Sequence, residues 1–104
     1  MIIEATNETL PKIIVENPLV LVDFYGKTCT PCKIFLPMYE GLSEEIEGAV
    51  FTKVCVDDEP ALTEQYGIMS VPTVVVIRDG EVVASGTGIQ RIMPLMDRLK
   101  EGLL

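Results

Sequence analysis

Two apolar stretches with a helix-patterned segment between them constrain the fold more than any other feature of this 104-residue chain. Residues 19–25 are LVLVDFY and residues 50–56 are VFTKVCV, and such runs are typical of buried strands. Between them, apolar side chains recur at helical spacing: Ile34, Phe35, Met38, Tyr39, Leu42 and Ile46. This order predicts a strand, a helix and a second strand that can lie parallel to the first through a right-handed crossover.

The segments around this unit complete a β-α-β-α-β-α-β-β-α order. A short strand and a short helix precede it, and a short acidic helix over residues 59–66 follows it. Strands over residues 74–78 and 81–85 flank Asp79-Gly80, a strong hairpin signal. The last helix is expected to carry Pro94 in its first turn. Its apolar face is predicted to be Ile92, Met93, Met96, Leu99 and Leu103. The pattern predicts an α/β fold, with helices on both faces of a mixed sheet and one domain over residues 1–104.

Composition and charge argue against several classes of function. The apolar runs are far too short to cross a bilayer, so no membrane role is expected. The net charge is -8 and the basic residues are scattered, which argues against nucleic acid as a partner. The chain has no histidine, which excludes His-dependent nucleophile activation and His-ligated zinc or haem. The N-terminus lacks the pattern of a secretory signal, and the initiating Met1 favours a cytoplasmic protein.

The chemistry is therefore left to thiols, carboxylates and amines, and the stretch TCTPCK at residues 28–33 stands out. Cys29 follows a predicted strand and precedes a helix predicted to begin near Cys32. Its sulfur is expected to face free N–H groups at the helix N-terminus, which favour thiolate over thiol. Pro31 fixes the backbone in the first turn. The pair predicts a thiol-disulfide exchange mechanism. The Cys29 thiolate attacks a substrate disulfide, and Cys32 then displaces the reduced product.

Cys32 lies deeper and needs a base, and Asp23 is the candidate. Asp23 lies inside an apolar strand, where desolvation is expected to raise its pKa toward the range useful for proton exchange. Lys53, on the neighbouring predicted strand, could pair with it. The alternatives are that Asp23 bonds only a backbone donor and that Lys53 extends outward to solvent.

The third cysteine leaves further readings open. Cys55 is expected on the same strand face as Lys53, either as a small buried apolar side chain or as a regulatory or dimer-forming thiol. A thiolate metal module is an alternative function, with a ligand set of Cys29, Cys32, Cys55 and either Asp57 or Asp58, although no second CxxC exists. Another is a domain used only for binding within a larger complex, against which the presence of both active-site cysteines argues.

Several of these segments together resemble the thioredoxin family. The stretch LVLVDFYGKTCTPCK resembles the family's strand, active-site turn and helix start, and Pro37 matches the proline that kinks the active-site helix. Asp23 and Lys53 match its buried acid and lysine. Residues 67–73, GIMSVPT, resemble the segment that carries a cis-proline beside the active site. The match covers nearly the whole chain, and CxxC with these companions is far more specific than CxxC alone.

The resemblance implies a thioredoxin fold, with a central five-stranded mixed sheet flanked by four helices. It implies strand order 1-3-2-4-5, with the last two strands antiparallel to the first three. It also implies a cis Val71–Pro72 bond whose turn exposes the Val71 backbone to a substrate strand. The implied activity is reduction of protein disulfides by a monomer that a thioredoxin reductase recharges. The implied redox group is the Cys29–Cys32 disulfide, without a further cofactor.

The active-site turn departs from the family pattern at two positions. Thr28 replaces the usual tryptophan, which removes part of the apolar contact surface for substrates, and Thr30 replaces the usual glycine. These changes leave the reaction class intact and put the reductase partner and the range of substrates in doubt. A specialised relative with few client proteins is therefore an alternative. The order of residues in CTPC also differs from the CPYC of glutaredoxins, which argues against a glutathione-dependent role.

Overall fold

The computed structural model describes all 104 residues. The nine elements follow the predicted order: β1 (Ile2–Glu4), α1 (Leu10–Glu16), β2 (Leu19–Tyr25), α2 (Thr30–Glu45), β3 (Val50–Cys55), α3 (Pro60–Gln65), β4 (Thr73–Arg78), β5 (Glu81–Thr87) and α4 (Ile89–Lys100). None of the four helices is long and apolar enough to cross a membrane. The five-stranded mixed sheet with four helices confirms the expected fold class.

The strands form one sheet in the order β1-β3-β2-β4-β5, as the resemblance implied. The strand β3 pairs in parallel with both β1 and β2, while β4 pairs antiparallel with β2. The expectation that both last strands oppose the first three is wrong for β5. Because the turn at Asp79 and Gly80 makes a hairpin, β5 runs antiparallel to β4 and therefore in the same direction as the first three strands.

Alternating side chains of the central strands build a core on each face of the sheet. On one face, α2 and α4 cover Leu19, Leu21, Phe51, Val74 and Val76. On the other face, Leu10 of α1 and Leu62 of α3 pack against a second set: Val20, Val22, Phe24, Val54, Val75 and Ile77. Asp23 shares the alternation of Leu19 and Leu21, so it lies on the sheet face that α2 and α4 cover. The active-site helix therefore packs over the face that carries this acid.

The last helix differs from its prediction at both ends. It begins at Ile89, so Pro94 lies in the second turn rather than the first. Gly102, at φ 75°, ends the helix, and the N–H of Leu103 bonds back to the carbonyl of Arg98. Leu103 is consequently 61% exposed and does not belong to the buried face. The buried positions are Ile92, Leu95, Met96 and Leu99, which is the spacing that one helical face requires.

Candidate active site

The two cysteines of the CxxC stretch lie at the start of α2, which begins at Thr30 rather than near Cys32. Cys29 is the N-cap residue with an extended backbone, and Thr30 and Pro31 form the first turn. The backbone N–H of Cys32 donates to Cys29 Sγ at 3.2 Å. The structure joins the two cysteines in a disulfide with a Cα–Cα distance of 5.3 Å. The helix start therefore directs one backbone N–H, that of Cys32, at Cys29 Sγ, in agreement with the predicted position of this sulfur at a helix N-terminus.

The cysteines differ in their exposure to solvent. Cys29 is half-buried, whereas Cys32 is only 4% exposed. Thr28, Thr30 and Pro31 are all exposed around them. An attacking group from another molecule can therefore reach the sulfur of Cys29 more easily than that of Cys32.

The loop before β4 closes one side of the site. The Val71–Pro72 bond is cis, which confirms the expectation for this bond, and Pro72 is buried. The carbonyl oxygen of Val71 lies 3.9 Å from Cys29 Sγ. In the same loop, Met69 is 97% exposed. The backbone of Val71 is thus placed beside the more accessible sulfur, in a loop that also presents an apolar side chain to solvent.

Asp23 lines the same cavity as Cys32 and has almost no contact with solvent. It is 1% exposed, and its Oδ1 atom has no hydrogen-bond partner. Burial raises the pKa of Asp23 to about 7, Glu4 adds to the increase, and the positive charge of Lys53 opposes it. The predicted rise in pKa is confirmed in direction. The alternative in which a backbone donor satisfies this carboxyl does not account for the unpartnered Oδ1.

Lys53 is opposite Asp23 in the β2–β3 register, yet it forms no ion pair with it. Its Nζ atom lies 3.8 Å from Glu4 Oε1 and 5.4 Å from the centre of the Tyr25 ring. Lys53 therefore makes no direct ion pair with Asp23, although its positive charge still lowers the pKa of that acid, and the alternative of an outward-extending lysine is nearer to the structure. The physical reason is that Glu4 offers a carboxylate nearer the solvent, where the ammonium group loses less hydration.

A small cavity connects the buried acid with the buried cysteine. Its volume is about 140 Å³, and Asp23, Cys32, Leu36 and Lys53 are among the residues that line it. A cavity of this volume is large enough to hold water, and Asp23 and Lys53 bring polar groups to its mostly apolar wall. Asp23 and Cys32 thus face one shared space.

A thioredoxin family model matches residues 1–101 of the chain. The chain belongs to the thioredoxin family. It is 42% identical over 72 residues to thioredoxin from Chlamydia caviae, covering 69% of this chain and 71% of that protein. It is 33% identical to thioredoxin from Rickettsia felis over 94% of this chain and 95% of that one.

Solved thioredoxins have the same fold. A point mutant of thioredoxin from Halobacterium salinarum NRC-1 is 36% identical with a TM-score of 0.87, over 98% of this chain and 89% of that one. The complex of ferredoxin:thioredoxin reductase and thioredoxin f2 contains a chain with a TM-score of 0.88 and 29% identity, over 97% of this chain and 94% of that one. With its CxxC disulfide, this family member is a thiol-disulfide oxidoreductase.

Asp57 and Asp58 contact Lys27 in the loop that precedes Cys29. The sequence alone indicated these two aspartates only as candidate ligands of a metal ion. Asp57 Oδ2 accepts a hydrogen bond of 2.9 Å from the backbone N–H of Lys27, and Asp58 Oδ1 lies 2.7 Å from Lys27 Nζ. A signal for the supporting role is present, because both aspartates follow β3 directly and the cysteine loop follows β2. Neighbouring parallel strands end at the same edge of a sheet, which brings the two loops together.

Cys55, the third cysteine, is a free thiol that is 3% exposed. Its Sγ atom lies 3.9 Å from Asp57 Oδ2, and it shares a strand face with Lys53, as expected. No group of three or more cysteine and carboxylate side chains is arranged to hold a metal ion. The burial agrees with the reading of Cys55 as a small core side chain.

Proposed function

We propose that this protein reduces disulfides of other proteins, with Cys29 as the nucleophile and Cys32 as the resolving thiol. The observation that carries the proposal is the difference between the two sulfurs. Cys29 is half-buried at the helix N-terminus and its Sγ accepts the N–H of Cys32, whereas Cys32 is buried beside Asp23. N–H donors and the helix dipole stabilise a thiolate at Cys29 without any histidine.

The reaction begins with the dithiol form and transfers two electrons. The Cys29 thiolate attacks one sulfur of the substrate disulfide, forms a mixed disulfide and expels the other substrate sulfur as a thiolate, which takes up a proton. Cys32 then loses its proton to the Asp23 carboxylate, directly or through water in the shared cavity. Its sulfur attacks Cys29 Sγ and releases the second substrate thiol. The Cys29–Cys32 disulfide remains, and it is the redox group of the protein.

The substrate segment is proposed to lie against Val71, Pro72 and Thr28. The Val71 carbonyl next to Cys29 suits an extended segment that pairs through its backbone, and such pairing accepts many side chains. Thr28 offers less apolar surface than an aromatic residue. We therefore expect weaker binding of general substrates and a narrower set of clients than a tryptophan at this position would give.

The oxidised protein needs a reductant, and a thioredoxin reductase is proposed for this step. The similarity to a thioredoxin whose complex with ferredoxin:thioredoxin reductase is solved supports this partner class. We propose that the chain acts as a monomeric single domain over residues 1–104, carrying electrons from the reductase to client proteins. A reducing compartment such as the cytoplasm suits an odd number of cysteines with a free Cys55. In that setting the protein would contribute to redox homeostasis.

Reduction of insulin disulfides with dithiothreitol as the electron source tests the proposal. Cys29→Ser should abolish catalysis, and Cys32→Ser should accumulate a mixed disulfide through Cys29, visible by mass spectrometry. Cys55→Ala, the matched thiol outside the site, should retain the activity of the wild-type protein. Catalysis that survives Cys29→Ser would contradict the assignment. NADPH-linked and ferredoxin-linked reductases, tested side by side, would identify the electron donor.

A further inference from the structure

Three charged or ionisable side chains form a row across one end of the sheet. Glu4 on β1 is in register with Lys53 on β3, and Lys53 is in register with Asp23 on β2. Residues in register on neighbouring parallel strands point to the same face of a sheet. The row therefore places one lysine between two carboxyl groups. The outer carboxyl of Glu4 is 49% exposed, whereas Asp23 is 1% exposed.

The lysine contacts the outer carboxylate rather than the inner one. Its Nζ atom lies 3.8 Å from Glu4 Oε1 and forms no ion pair with Asp23. Tyr25 holds this arrangement from the same face, two residues beyond Asp23. Its hydroxyl donates to Glu4 at 2.8 Å from Oε1 and 2.9 Å from Oε2, and its ring lies 5.4 Å from Lys53 Nζ. Burial and the neighbouring Glu4 raise the pKa of Tyr25, so the hydroxyl keeps its proton at neutral pH.

We propose that Glu4 is a positioning residue for the buried acid: together with Tyr25 it holds the Lys53 ammonium group away from Asp23, and so keeps Asp23 able to take and release a proton. The proposal rests on the role of Asp23 in the proposed function. A lysine in direct contact with Asp23 would stabilise its carboxylate and lower its affinity for a proton, which would make it a weaker acceptor for the proton of Cys32. With Lys53 held by Glu4, the Asp23 Oδ1 atom stays unpartnered beside the cavity that Cys32 shares.

Several other ionisable groups face Asp23, and none of them replaces Glu4 in this arrangement. From α2, Cys32 lines the same cavity, and Tyr39 is close enough that Asp23 adds to the increase in the Tyr39 pKa that burial causes. On β4, the register partner of Asp23 is the apolar Val74. The remaining groups are Tyr25, Lys27 and Lys33 on the cavity wall, and Cys55, which lies opposite Tyr25 in the register. Lys53 is the cation opposite Asp23 in the register, and Glu4 holds it.

Removing the charge of Glu4 is expected to lower the pKa of Asp23 through two separate effects. The negative charge of Glu4 disfavours the Asp23 carboxylate, so its loss lowers the pKa of Asp23. Its loss also frees Lys53 to approach Asp23, which lowers that pKa further. For partly solvated charges about two strands apart, the combined effect is on the order of half a pH unit.

The first test is a carboxyl-carbon NMR titration of Asp23 in the oxidised, full-length protein. Glu4→Gln should lower the Asp23 titration midpoint by roughly half a pH unit or more. Glu81→Gln is the matched control, because Glu81 is an exposed glutamate on β5 at the opposite edge of the sheet. In Glu81→Gln, the titration midpoint of Asp23 should equal that in the wild-type protein. An unmoved midpoint in Glu4→Gln would overturn the proposal, as would an equal shift in both variants.

Tyr25→Phe offers a second variant that keeps the charge of Glu4. It removes the two hydroxyl hydrogen bonds and should shift the Asp23 midpoint in the same direction by a smaller amount. A shift in the opposite direction would contradict the part assigned to Tyr25.

The resolving step gives a functional measurement that a purely structural role would not alter. A thionitrobenzoate group on Cys29 is released when Cys32 attacks, and the rate can be followed by absorbance as a function of pH. In Glu4→Gln the pH profile should move to lower pH together with the NMR midpoint. An Asp23→Asn variant with an unchanged profile would overturn the proposed role of Asp23. If Asp23→Asn alters the profile and Glu4→Gln does not shift it, only the role of Glu4 is overturned.

Discussion

Replacing Asp23 by asparagine is expected to stabilise the protein, and to do so increasingly as the pH rises. Asp23 is 1% exposed, and its Oδ1 atom has no hydrogen-bond partner, so its ionised form is poorly solvated in the folded state. Asparagine has nearly the same shape and carries no charge. The substitution therefore removes the ionisation cost and leaves the packing nearly unchanged.

The magnitude follows from the pKa of Asp23 in the two states. Folding raises it from 3.8 to about 7. Between these values the folded protein binds a proton that the unfolded chain has lost, so stability falls as pH rises and becomes constant above about 7. The full difference corresponds to about 4 kcal/mol at high pH. About 1.5 kcal/mol of it is already present at about pH 5, so the advantage of Asp23→Asn should grow by nearly 3 kcal/mol between about pH 5 and about pH 8.5.

Urea unfolding of the oxidised proteins at several pH values measures this difference. The chain has no tryptophan, so far-UV circular dichroism should follow the transition. Asp97→Asn on α4 is the matched control, because Asp97 is exposed and the substitution removes a carboxyl group without removing a buried one. A stability difference between Asp23→Asn and wild type that does not change with pH would refute the reasoning. It would mean that Asp23 ionises as easily in the folded protein as in the unfolded chain.

Two further substitutions test the packing around the site. Tyr39→Phe removes a buried hydroxyl that donates to the Thr52 carbonyl at 2.8 Å, and urea unfolding should show a loss of about 1–2 kcal/mol; an unchanged stability would mean that this bond contributes nothing. Gly86→Ala places a methyl group 3.1 Å from the Arg91 carbonyl oxygen, so α4 must shift and about 1–3 kcal/mol should be lost. Gly41→Ala is the control, because apart from its chain neighbours and the adjoining helix backbone no atom lies within 4 Å of the added group, and it should stabilise α2 by about 0.5–1 kcal/mol.

Much of the fold was predictable because its signals are local. The runs at residues 19–25 and 50–56 became β2 and β3, and the turn at Asp79-Gly80 became the hairpin. The end of α4 was harder to place. Leu103 continues the apolar pattern in the sequence, but Gly102 adopts a positive φ and ends the helix before that residue can reach the core.

The site could be predicted from the sequence where the type and spacing of its residues indicate a particular chemistry. The CxxC spacing indicated both cysteines, and an acid within an apolar strand indicated Asp23 with a raised pKa. The partner of Lys53 could not be found in this way. Which of two carboxyl groups a lysine contacts depends on distance and on hydration. Both depend on which strands are neighbours in the sheet.

The sequence by itself determined the order of strands and helices, the redox pair and the burial of Asp23, since each follows from spacing or from neighbouring residues. The tertiary structure alone placed Glu4 beside Lys53, which lies far later in the chain. It also brought Asp57 to the loop of Cys29 and Val71 to its sulfur. These contacts join segments distant in sequence, and no local periodicity encodes them. They arise because the strand order of the sheet sets which loops and side chains meet.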